Sequence, residues 1–160
     1  MTKVQCSVQI ERPIEEVFAY VCDPDNDTMW QTAVVEIHRV GDGVGPMGLG
    51  DEAVEVCRFL GKRIETRWTV TEDRPPTRSA IASKTGPIPF AGSYDLASVD
   101  GGTRFTMTME TDAHGFFRLA EPVFARIARR EMQANSDTLK DLLEAGVAGA
   151  AVDTPVGATA

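Results

Sequence analysis

The stretch Ala125–Ala145, ARIARREMQANSDTLKDLLEA, decides how the rest of the chain is read. On a helical wheel at roughly 100° per residue, Phe124, Ile127, Ala128, Met132, Leu139 and Leu142 share one broad face. Glu131 and Asn135 fall inside that face. A carboxylate and an amide within an apolar stripe are costly to bury unless something meets them. The helix is expected to end before Gly146. Pro122 marks either a kink or its first turn.

Upstream of the helix, strands dominate. In KVQCSVQIE, Val4, Cys6, Val8 and Ile10 alternate with polar residues, the period of a half-buried strand. In RPIEEVFAYVCDP, Pro13 suits the first helical position and Glu15 and Glu16 the first turn. Ile14, Val17, Phe18 and Val21 recur at helical spacing. Pro24 ends that helix, and DNDTMWQ can form a second short one. Further strands are expected at about 33–40, 51–59, 62–72, 78–84, 90–99 and 103–112. Asp100-Gly101-Gly102 between two alternating runs signals a hairpin. The order is strand, two short helices, six strands and a long helix, and its short turns predict an antiparallel sheet. One helix covers only part of seven strands. A curved sheet around it leaves space that a polar pair on the helix can face.

The chain has 160 residues, 42% hydrophobic and 25% charged, which fits one globular domain over 1–145 with a flexible tail at 146–160. A net charge of −8 disfavours nucleic acid and anionic membrane as partners. No apolar run is long enough for a signal peptide or membrane span, so a cytoplasmic protein is expected. Cys6, Cys22 and Cys57 read as reduced core thiols, and the two histidines, His38 and His114, are too far apart for a zinc site of ordinary spacing. No metal or cofactor is expected. AGSYD is not a nucleophile elbow, and GDGVGPMGLGD lacks the Lys-Ser/Thr of a phosphate loop.

The segments VQIERPIEEVFAYVCDPDNDTMW, GKRIETRWTVTEDRPP, YDLASVDGGTRFTMTME and LKDLLEA, in this order over roughly residues 3–145, resemble the SRPBCC or START-like superfamily. Within it they look most like the bacterial polyketide cyclase/dehydrase and lipid transport group. The resemblance implies an α+β helix-grip fold: a seven-stranded curved antiparallel sheet around a long C-terminal helix, two short helices after the first strand, and a deep apolar cavity. It implies no shared catalytic residue.

On that fold the inward faces become a cavity wall. Trp30, Trp68, Tyr94, Phe105, Met107, Phe124, Ile127, Glu131 and Asn135 are the expected ligand-binding residues. Glu131, Tyr94 and His114 are the candidate acids or bases. Glu131 and Asn135, one turn apart, read either as a polar anchor for a ligand or as a structural pair, with Glu131 bonded to Arg58, Arg67 or a strand hydroxyl. His114, in the loop before the last helix, reads more readily as an exposed residue than as an acid or base, and His38 reads as surface. The leading expectation is a binder of a small or medium hydrophobic molecule (polyketide, lipid or isoprenoid), as monomer or homodimer. The alternatives are a cyclase, aromatase or dehydratase using the same cavity, and a chaperone-cofactor-like interaction module.

Overall fold

The computed structural model describes residues 2–59, 61–111 and 121–146. Strand β1 (Thr2–Ile10) leads to helix α1 (Ile14–Val21), a 3₁₀ turn (Pro24–Asn26) and helix α2 (Asp27–Trp30). Six strands follow: β2 (Val34–Arg39), β3 (Glu52–Phe59), β4 (Lys62–Arg74), β5 (Arg78–Thr85), β6 (Phe90–Val99) and β7 (Gly102–Thr111). Helix α3 (Glu121–Glu144) completes the order. This is the helix-grip arrangement, with all seven strands in one antiparallel sheet ordered β1-β7-β6-β5-β4-β3-β2.

Local chemistry explains each element. Pro13 is the cap before α1, one position earlier than expected, and its φ of −58° already suits the helix that follows. Glu15 and Glu16 sit in the first turn, and Ile14, Val17, Phe18 and Val21 are buried. Val4, Cys6 and Ile10 of β1 point into the core while Lys3, Gln5 and Ser7 stay exposed, as the alternation predicts. Asp100 and Gly101 form the two-residue turn between the paired Val99 and Gly102, with Gly101 at φ +81°. Strand β4 runs to Arg74, two residues beyond expectation, and its register shifts twice against β5. Such bulges bend a strand and increase its local twist.

Pro122 lies in the first turn of α3, where its missing N–H leaves no helical bond unmade. The buried stripe of α3 is Met132, Asn135, Ser136, Leu139 and Leu143. Leu142, expected on that face, is only partly buried. The stripe docks on β1. Cys6 Sγ lies 3.2 Å from Ser136 Oγ, Lys140 Nζ donates to the Gln9 carbonyl at 2.8 Å, and Arg12 Nε donates to the Leu143 carbonyl at 2.8 Å. Only the C-terminal half of α3 is gripped in this way. Toward the N-terminus Val123 is 64% and Ile127 51% exposed.

The apolar interior is accordingly split. One cluster joins β1, α1, β6, β7 and α3 around Ile10, Val17, Trp30, Phe105 and Leu139. The other gathers Met47, Ala53, Trp68 and Val70 against β3 and β4.

Candidate functional site

Between the two clusters lies a cavity of about 250 Å³. Its apolar wall is built by Trp68 and Val70 of β4, Ile81 of β5, Met107 of β7, and Met47 from the loop after β2. Gly92 of β6 also lines it, leaving bare backbone where a side chain would intrude. Arg58 near the end of β3, Ile88 in the loop after β5, Thr111 at the end of β7 and Ile127 of α3 also line it, and Arg58 and Ile127 among them are exposed. Their side is the open end.

The other end is polar. Cys22, Asp27, Gln31, Ser79 and Tyr94 converge there, with Glu55 and Cys57 on β3 above them. Asp27 is 6% exposed, and its Oδ1 has no hydrogen-bond partner among the described residues. Burial pushes its carboxyl well above the usual carboxylate range, and the Glu55 charge pushes it further. The Gln31 amide and Trp30 indole pull it partly back without closing a hydrogen bond of normal geometry. Glu55 is better served: its Oε1 accepts from Cys57 Sγ at 2.8 Å and its Oε2 from Trp68 Nε1 at 3.2 Å. Tyr94 accepts from Gln31 Nε2 at 3.5 Å. Burial, reinforced by the Asp27 charge, raises its phenol well above the ordinary value. Burial also drives both thiols up, Cys22 to about 12 and Cys57 further still, with the Glu55 charge adding to the latter. A thiol so held is not a nucleophile near neutral pH.

Of the residues singled out from sequence, Trp68, Tyr94, Met107, Ile127 and Glu131 line the cavity. Trp30 and Phe105 lie behind the wall. Their rings meet edge-on at 6.2 Å, and Tyr94 contacts both, at 6.0 Å from Trp30 and 5.3 Å from Phe105. Asn135 is also off the wall. At 5% exposure its Oδ1 accepts from Thr32 N at 3.2 Å and Thr32 Oγ1 at 3.1 Å, tying α3 to the end of α2. Glu131 and Asn135 are therefore placed apart: Glu131 lines the cavity, and Asn135, one turn on, meets Thr32 after α2. Arg67, a suggested partner of Glu131, is bonded to Glu52 at 2.6 Å. His114 and the side chain of Phe124 lie outside the described residues. His38 is an exposed side chain 3.9 Å from Glu36. Sequence reasoning missed Asp27, Glu55, Cys22 and Gln31. Glu55 had a signal, since it shares a period-two face with Ala53 and Cys57. Asp27 had none, because its burial is set by strands distant in sequence.

Among the described residues no three His, Cys, Asp or Glu side chains converge to hold a metal ion, and no helix is long and apolar enough to cross a membrane.

A curved sheet gripping one helix around an internal cavity defines a helix-grip protein of the SRPBCC type. The chain belongs to the polyketide cyclase / dehydrase and lipid transport family, whose model matches residues 1–144. Over 88 residues, 55% of this chain, it is 34% identical to the nonribosomal peptide synthetase kk1B of Curvularia clavata, and the match spans 1% of that protein. Similar solved structures include TTHA0849 from Thermus thermophilus, at TM-score 0.78 and 17% identity over 91% of this chain and 99% of that one. DR_A0006 from Deinococcus radiodurans is similar at TM-score 0.69 and 17% identity, over 91% and 99%. NE0264 from Nitrosomonas europaea gives TM-score 0.70 and 14% identity, over 91% and 96%. These likenesses concern the fold.

Proposed function

We propose that this protein binds a small or medium hydrophobic molecule, of polyketide, lipid or isoprenoid character, in the cavity between sheet and α3. The observation that carries the reading is an apolar wall ending in one polar cluster, the division of labour usual in small-molecule sites. The two Met residues on β7, Met107 and Met109, give that wall adaptable side chains. The acting unit is residues 1–145, as a monomer or homodimer in the bacterial cytoplasm, with 146–160 outside it. A net charge of −8 sets it apart from nucleic-acid binders.

The test is binding of the uncharged fluorophore N-phenyl-1-naphthylamine. Saturable one-to-one enhancement is expected, lost in Ile81→Trp, which places an indole in the cavity, while circular dichroism stays unchanged. No saturable binding to the wild-type protein overturns the reading.

A second reading, a proton-transfer enzyme of cyclase or dehydratase type, is favoured by Asp27. A carboxyl held well above the usual carboxylate range, on the same wall as the Tyr94 hydroxyl, is suited to giving or taking a proton from a carbonyl compound.

A further inference from the structure

The charges on the cavity wall have one sign. Asp27, Glu55 and Glu131 line it, and the lone cation among the described lining residues is Arg58, exposed at the open end. Glu55 has donors for both oxygens, whereas Asp27 has no donor for Oδ1. Asp27 lines the cavity with Tyr94, Cys22 and Cys57, and its charge acts on all three, so it belongs to their polar end of the wall. Arg39, Arg67 and Lys84 are not on the wall and pair elsewhere: Arg39 lies 3.7 Å from Asp23, and Arg67 and Lys84 both bond Glu52. That end therefore holds two carboxyl groups with no cation paired to either among the described residues, and aromatic rings at hand in Tyr94 and Trp68; an ammonium seated there favours the ionised form of Asp27. A metal ion does not fit, since no three ligands converge among the described residues. An anionic guest would be repelled, and a guest without donors would leave Asp27 unmet.

We propose that the cavity selects amphiphilic amines: a protonated amino group seats at Asp27 and Glu55 beside the rings of Tyr94 and Trp68, and the apolar body runs along Val70, Ile81 and Met107 toward Ile127. An ammonium offers three donors and no acceptor, the complement of this end of the cavity. Its charge gains from the ring faces as well as from the carboxylates. The inference rests on the ligand-binding reading and adds the ligand's head group to it.

Three probes of nearly equal shape separate the possibilities: 4-phenylbutylamine, 4-phenylbutan-1-ol and 4-phenylbutyrate, titrated calorimetrically into the full chain at neutral pH. The amine is expected to bind at least about tenfold more tightly than the alcohol, the gain typical of a charge-assisted hydrogen bond, and the carboxylate most weakly. Asp27→Asn is expected to bring amine and alcohol within about twofold of each other, chiefly by weakening the amine. Glu55→Gln is expected to reduce the preference, and it decides the matter should Asp27→Asn fail to fold by circular dichroism. Alcohol binding as tight as amine binding in the wild-type protein overturns the inference but not the ligand-binding reading. So does an amine preference that survives in every folded variant. Binding of none of the three overturns both.

Discussion

Asn135 and Glu131 stand one helical turn apart and serve different ends. Asn135 holds α2 to α3 through Thr32, so Asn135→Ala leaves a partly buried backbone N–H and a hydroxyl without their acceptor. It is expected to destabilise the fold by about 1–3 kcal/mol in urea unfolding, with little change in ligand affinity. Glu131 lines the cavity, and Glu131→Gln is expected to shift stability by no more than about 0.5 kcal/mol while altering ligand affinity. Asp27 carries a pH signature. Its carboxyl is raised in the folded protein, so the native state holds a proton that the unfolded chain releases near the ordinary value of 3.8. Stability from this group is therefore present at acid pH and lost as pH rises from about that value through the raised native one. Glu36, Glu52, Glu72 and Glu144, all lowered by basic partners, act in the opposite sense. The clean measurement is thus a difference: Asp27→Asn minus wild type should grow more favourable as pH is raised, and a flat difference would contradict the assignment. Periodicity on one helix was enough to set Glu131 apart. It could not reach Asp27, whose short helix packs against β2 and α3.

At the level of elements, periodicity and turn chemistry carried most of the information. Every strand expected from alternation or turn signals is present, because each has a face that must be buried and a tight or glycine-rich connection beside it. The rotation of α3 was less legible. Leu139 and Leu142 read alike on a wheel, but docking on β1 selects Leu139 and Leu143, and only the partner strand fixes that choice. The β6–β7 hairpin shows how closely elements approach. A Cβ at Gly102 would stand 2.1 Å from the Ile10 carbonyl oxygen, so the residue after the turn is pressed against the end of β1. Gly102→Ala is expected to cost about 2–3 kcal/mol of stability, measured by thermal or urea unfolding, since backbone must shift to admit the methyl group. Gly101→Ala, with nothing within 4 Å of the new Cβ, should show only the strain of its positive φ.

For the molecule as a whole, the sheet order carries a consequence in time. From β3 to β7 each strand pairs with its predecessor, so these contacts form between near neighbours in the chain. Strand β1 instead closes against β7, with Ser7 and Thr106 bonded across 99 residues, and α3 then docks on β1. Closing so long a loop before any reward is entropically slow, whereas the hairpins are local. The meander should assemble early, with β1 and α3 arriving together at the end. Val4→Ala on β1 is then expected to accelerate unfolding with little effect on the folding rate, and Val70→Ala on β4 to slow folding, as stopped-flow chevrons would report. During synthesis the strand of this sheet that leaves the ribosome before the other six is thus the last of them to find its place. Until the final helix is made, the chain holds a half-built bowl with its rim open, and nothing inside it is yet enclosed.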